Sequence, residues 1–329
     1  MFKGKLRVAG FLLIILLVLF TNFSLGFKQY NISSYSPNES DKSSKIELGR
    51  KLFFDKMMSR DSSLSCASCH NPQFAFTDRK VKGIGIRGQE LERNTPTLSN
   101  ISNSDKFLWD GVNPSLVAQV MIPIHETNEF DFHINLIVER MKKDSAYLRL
   151  CNEAYGSDPN AFVITHSIAE FESILLSYNS PYDNFLKGDS NALTKSQLNG
   201  KDIFFNVLKC TKCHSGIDFT TYGLANNGLY ENYIDSGRIR LTYKESDRAI
   251  FKIPTLRNIE LTFPYMHDGS ISNLEDVISH YSNGGENHQN KSEFITPFTI
   301  TIDEKKDLIN FLKSLTDTSF INKHSIFNN

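Results

Sequence analysis

Residues 66–70 read CASCH and residues 210–214 read CTKCH. The reading of this pentapeptide decides the reading of the whole 329-residue chain. A lone CxxCH is weak: chance or half of a zinc site would account for it. Zinc half-sites usually lie tens of residues apart, whereas Cys69 and Cys210 are separated by 141 positions, and both pairs end in histidine. Disulfides, the default for an exported chain, leave the two histidines unexplained. One chemistry uses every residue. Two thiols add to the vinyl groups of one haem, and the adjacent histidine reaches the iron. The spacing therefore predicts two c-type haems, ahead of zinc and of disulfides. Cys66 and Cys69 would fix the first haem, with His70 as its proximal ligand. Cys210 and Cys213 would fix the second, with His214 as its proximal ligand. Of the five cysteines only Cys151 has no partner motif, and it reads as a buried, inert thiol.

The N-terminus fits that chemistry, because c-type haem is attached outside the cytoplasm. Lys3, Lys5 and Arg7 precede an apolar run from Val8 to Phe20, the pattern of an export signal. The run is short for a membrane span, which needs about 20 residues. Residues 1–26 are read as a cleaved signal, with an uncleaved anchor as the alternative, and residues 27–44 as a flexible linker. The expected location is the periplasm or the exterior of the cell envelope. Losing residues 1–26 takes the net charge from −1 to −4. No basic stripe remains, which argues against a nucleic-acid partner.

The sequence repeats itself around the two motifs. Gly49-Arg50-Lys51-Leu52-Phe53-Phe54 precedes the first and Gly200-Lys201-Asp202-Ile203-Phe204-Phe205 the second. Downstream, Pro96-Thr97-Leu98 leads to Asp110-Gly111 and Pro254-Thr255-Leu256 to Asp268-Gly269, each 14 residues after its proline. Leu116 and Leu274 each lie five residues past their glycine. Equal spacing over four landmarks predicts duplication. Periodicity predicts helices over 132–142, 162–176 and 303–315, and little sheet. The fold expected is mainly α: two cytochrome c-like haem domains, 45–186 and 187–318, with a loose tail over 319–329.

At this point the chain resembles the bacterial di-haem cytochrome c peroxidases, including their MauG-like branch. The motifs that carry the resemblance are LGRKLFFD, CASCHNP, RNTPTL, FLWDG, YDNFLKGD, CTKCHSG, PTLRNIELTFPYMHDG and HYSNGG, spread from Leu48 to Leu315. The resemblance implies a calcium ion between two haem domains. It also implies that the N-terminal haem binds peroxide while the C-terminal haem handles electrons.

Residue roles follow from that alignment. Trp109, the only tryptophan, matches a tryptophan that lies between the haems and assists electron transfer; packing alone is its rival role. Gln119 and Glu129 match a glutamine and a glutamate over the open face of the peroxide haem. A carboxylate there can move a proton from the inner to the outer peroxide oxygen, and an amide can hold the peroxide. Asn94, Thr262 and Pro264 match the calcium ligands, the last two through their carbonyls. Arg257 is a candidate contact for a haem propionate, or else a surface charge.

Two departures stand out. The loop histidine that caps the resting peroxide haem in many relatives falls at Ile86, and no histidine occurs between His70 and His125. The first haem is therefore expected to be open without prior reduction; His125 is the one substitute cap, or else a pocket or surface residue. At the second iron, the position 14 residues past His267 is Tyr281, the MauG-like choice, with His280 second and Met266 third. A tyrosinate is a hard donor that favours ferric and higher-valent iron.

The function expected is reduction of hydrogen peroxide to water, with electrons from a small cytochrome c or a cupredoxin. A MauG-like enzyme, oxidising residues of a partner protein from a high-valent state, is the alternative within oxidoreductases. A non-enzymatic di-haem electron carrier is the alternative outside them. The sequence leaves open the donor, any protein substrate and homodimer formation.

Overall fold

The computed structural model describes residues 39–112 and 115–326. The stretch read as a signal or anchor, 1–26, lies outside them, as does most of the linker. Helix α1 (Glu39–Phe54) already takes in the last part of the 27–44 stretch, because its later turns bury Leu48, Leu52 and Phe53 completely. Among the described residues no helix is long and apolar enough to cross a membrane.

The structure is mainly helical. The first CxxCH forms a single turn, α2 (Cys66–Cys69). Further on come α3 (Ile134–Met141), α4 (Ala161–Ser173), α5 (Pro181–Leu186) and α6 (Lys195–Asp202). After the second CxxCH come α7 (Leu274–Ser282), α8 (Ile302–Lys313) and α9 (Thr318–Ser325). The predicted helices over 132–142, 162–176 and 303–315 appear as α3, α4 and α8. Sheet among the described residues is limited to a two-residue antiparallel pair, β1 (Leu224–Ala225) with β2 (Phe251–Lys252), in register Leu224↔Lys252.

Two apolar cores form within one compact unit. The first is built on α1 and α4, the second on α6 and α8. The same contact organises both. A Cβ on Gly49 would lie 1.8 Å from the Ser167 carbonyl oxygen of α4, and one on Gly200 would lie 1.9 Å from the Asp307 carbonyl oxygen of α8. No side chain fits either crossing, so glycine lets each helix pair close to backbone contact. One turn on, Phe53 meets Phe171 at 5.1 Å and Phe204 meets Phe311 at 5.3 Å between ring centroids. Asn100 and Asn258 repeat the agreement. Both are left-handed, with φ of 57° and 59°. The Asn100 Oδ1 accepts from the Ser177 N–H (2.7 Å), and the Asn258 Oδ1 from the Asp317 N–H (2.8 Å).

Two boundaries differ from the sequence reading. A first domain ending at 186 would include α5, yet Tyr182 of that helix packs in the second core. The cause is Asp183, whose carboxylate takes a bidentate pair of hydrogen bonds from Arg257, both 2.8 Å, in the interior. The described part of the tail expected to be loose, 319–326, is ordered; α9 folds back on the first core and buries Phe320 and His324. Asp317 caps that helix by accepting from the Phe320 N–H. Reading a polar stretch as a boundary fails in both places because the polar groups there are caps and ion pairs.

Candidate haem sites

Ser65 opens the first motif as an N-cap, and the His70 N–H closes the turn on the Cys66 carbonyl at 2.8 Å. Cys66, Cys69 and the His70 imidazole then line one cavity. The imidazole Nδ1 lies 2.9 Å from the Phe76 carbonyl oxygen. A carbonyl only accepts, so Nδ1 carries the proton and Nε2 keeps its lone pair. The second motif does the same. The His214 N–H reaches the Cys210 carbonyl at 2.9 Å, and Cys210, Cys213 and His214 line a second cavity together. His214 Nδ1 donates to the Phe219 carbonyl at 3.1 Å. Burial holds both imidazoles below their ordinary value, His214 at about 4. Burial also raises all four thiols, Cys69 to about 12 and Cys210 to about 11, with Cys66 and Cys213 shifted the same way. Neutral imidazoles with a free Nε2 suit iron, whereas a structural zinc site needs four ligands and no group of three or more His, Cys, Asp or Glu gathers as a metal site among the described residues. The donor sets therefore fit haem.

The first cavity joins His70 to Gln119 and Glu129, and the histidine lining it is His70 alone. Burial, and then the charge of Glu126, raises the Glu129 carboxyl to about 7. Ile86 is buried nearby, and its N–H donates to the Glu129 carbonyl at 2.9 Å. His125 is not in this lining. Its ring stacks on His133 at 5.0 Å, and its Nε2 accepts from the Ile134 N–H at the start of α3. One functional candidate escapes the sequence reading. Glu172, on α4, lines the same cavity, is buried, and has an Oε2 with no hydrogen-bond partner. Burial raises its carboxyl to about 8. Its only sequence signal is a charge in the apolar run FVITHSIAEFESILL.

The second cavity is larger, about 450 Å³ against about 60 Å³. Tyr281 and Met266 line the second cavity with His214. His280 does not; its Nε2 donates to the Asn227 carbonyl at 3.0 Å. Trp109 sits in the same wall, joining the two halves. Its Nε1 donates to the Asn94 carbonyl (2.8 Å), and its own carbonyl accepts from the Lys252 N–H (2.6 Å). Beside it Asp110 is fully buried and paired with Arg93 and Arg240.

Asn94, Thr262 and Pro264 line this cavity together. The Asn94 Nδ2 donates to the Lys80 and Val81 carbonyls at 2.9 and 3.3 Å, which leaves Oδ1 as its donor toward a cation. No group of three His, Cys, Asp or Glu gathers as a metal site among the described residues, so a cation here would draw on neutral oxygens, as a hard ion can. Arg257 is neither a surface charge nor open to a propionate: it is fully buried against Asp183. Cys151 is buried in the first core.

A family model described as di-haem cytochrome c peroxidase matches residues 43–191. The methylamine utilization protein MauG of Methylorubrum extorquens is 35% identical over 274 residues, spanning 82% of this chain and 78% of that protein. The chain belongs to the di-haem cytochrome c peroxidase family. Cytochrome c551 peroxidase of Nitrosomonas europaea is 33% identical over 291 residues, spanning 87% of this chain and 83% of that one. Among solved structures, a MauG-like protein associated with microbial copper homeostasis aligns with a TM-score of 0.83 at 31% identity, covering 91% of this chain and 97% of that one. Family membership implies two haem c groups, which the two CxxCH motifs would hold.

Proposed function

We propose that this di-haem peroxidase reduces hydrogen peroxide at the first haem, beside Glu129 and Gln119. The observation that carries the reading is the joining of those two side chains to His70 in one cavity that no second histidine caps. Each peroxide takes up two electrons and two protons and leaves as two waters. The bound haem supplies the iron and the electrons. Glu129 takes the proton from the inner oxygen of peroxide and returns it to the outer one, and a carboxyl near neutrality is matched to both halves of that task. Gln119 orients the peroxide by hydrogen bonding. A haem held by Cys210, Cys213 and His214 would supply the electron-transfer chemistry toward a small cytochrome c or cupredoxin, and Trp109, bonded to both halves, is placed to assist the passage between the two sites.

The MauG-like reading rests on a different observation: Tyr281, not His280, faces the second cavity. A phenolate there favours oxidised iron over ferrous and suits an enzyme that stores oxidising equivalents for use on a partner protein. We further propose calcium at Asn94, Thr262 and Pro264, an origin of the two halves by duplication, and a location outside the cytoplasm. Stopped-flow addition of peroxide to the fully oxidised protein tests the main reading. Immediate reaction at the first haem is expected. Two six-coordinate, low-spin haems that ignore peroxide would leave the carrier reading instead. Steady turnover with reduced cytochrome marks the peroxidase; a long-lived oxidised species with little turnover marks the MauG-like enzyme.

A further inference from the structure

Tyr281 and Met266 line the second cavity with His214, and His280 adjoins Tyr281 on α7. Two of the three, Met266 and His280, are bonded to one residue, Asn227. The Asn227 Nδ2 donates to the Met266 sulfur at 3.2 Å. Tyr281 lines the cavity beside this amide. The Asn227 main-chain carbonyl accepts from His280 Nε2 at 3.0 Å, so that nitrogen carries a proton and has no lone pair to offer.

The segment around Asn227 is firmly held. Asn226 is fully buried, and its side chain accepts from the Gly228 N–H (2.7 Å) and donates to the Ala249 carbonyl (2.8 Å). Gly228 has φ of +67°, and a Cβ there would lie 2.8 Å from Lys291 and 3.0 Å from the Glu286 carbonyl. The Gly228 carbonyl accepts from the Glu286 N–H at 2.7 Å. Asn227 is thus presented to the cavity from a fixed backbone.

We propose that Asn227 is the positioning residue that selects the axial ligand of the second haem, favouring Tyr281 over Met266 and His280. The inference rests on the reading that Tyr281 faces that iron. The amide engages the Met266 thioether, which weakens methionine as a rival. The carbonyl turns the His280 imidazole away, which leaves the Tyr281 phenol as the free donor in the cavity wall. An apolar side chain of similar size at position 227 removes the first effect and leaves the main-chain bond to His280 intact.

The test is spectroscopic and uses the holoprotein. Asn227→Leu is compared with the native protein and with Tyr281→Phe by electronic absorption, EPR and potentiometric titration of the second haem. The expected result for Asn227→Leu is loss of the tyrosinate signature, a methionine-ligated low-spin signal in its place, and a higher potential. Adding Met266→Leu to that variant should abolish the new signal. Asn227→Ser, which keeps one donor, should give a mixture of the two signatures, and it carries the test if the leucine variant does not load haem. An unchanged spectrum in Tyr281→Phe overturns the tyrosine reading itself. A changed spectrum in Tyr281→Phe, with native spectra and potential in both Asn227 variants, overturns the role of Asn227 alone.

Discussion

The two haem cavities are built on one frame and lined differently. Gly49 and Gly200, Phe53 and Phe204, Asn100 and Asn258, and the carbonyl-tied imidazoles of His70 and His214 correspond one to one. Along the closing helices, the glycine contacts pair Ser167 with Asp307 and Phe171 with Phe311, so the next positions are Glu172 and Leu312. Both line their cavities. The first cavity thus gathers two carboxyls and an amide, Glu129, Glu172 and Gln119, where the lining of the second includes phenols and amides but no Asp or Glu. The difference teaches that one frame carries two linings, and the proposed division between peroxide reaction and electron handling rests on that contrast.

The largest effect should come from removing the acid–base group of the first cavity. Glu129→Gln keeps the shape and should slow the reaction with peroxide by about 10²–10⁴-fold, read by stopped flow. In the native protein the rate should rise as pH passes about 7, because the carboxylate form accepts the peroxide proton. The variant should lose that step. An unaltered rate would deny the first cavity its reactive role. Tyr281→Phe should act on the other side of the comparison. It should change the electronic spectrum of the second haem and raise its potential, leaving the first haem's peroxide reaction in place. A variant that loses both would show that the cavities do not divide the work as their linings suggest.

Much of this is legible in the sequence because covalent haem attachment demands fixed spacing, and spacing survives translation into structure. The paired CxxCH motifs line one cavity each, and the glycine-led LFF and IFF segments make matching helix crossings. The joining of Gln119 and Glu129 to His70 comes from alignment; nothing local marks a glutamate in PIHETNEF as a pocket residue. What the sequence hides is long-range polar pairing. Arg257 finds Asp183 across 74 positions, and that pair carries α5 into the second core. Asp317 turns a polar tail into a capped helix. Asn227 has no pattern of its own, since its importance arises from two partners 39 and 53 positions away.

The shared frame makes a stability prediction of intermediate size. Gly49→Ala and Gly200→Ala each force a methyl into an opposing carbonyl, so each should destabilise the fold by at least about 1–3 kcal/mol, measured by denaturant unfolding. Equal losses would support two equivalent crossings. A much smaller loss at Gly200 would mean that the second helix pair, despite its matching geometry, can slide apart where the first cannot.

The last effect concerns Glu172 and its counterpart Leu312, and it appears in a slope rather than a single value. The Glu172 carboxyl is raised to about 8 in the fold by burial, against about 4.3 in an unfolded chain. Between those values the folded state holds a proton that the unfolded state has released. Its contribution is therefore fully present below about pH 4 and is lost as pH rises to about 8, with no further change above. Glu172→Leu should abolish this part of the pH dependence, so the variant should gain on the native protein steadily from pH 5 to 8 in urea unfolding. Leu312→Glu should create the same slope in the second cavity. Parallel curves for native protein and Glu172→Leu would mean that the orphaned Oε2 finds a partner in the loaded protein. The carboxyl would then be part of how the first cavity grips its haem, rather than a burden carried for the reaction.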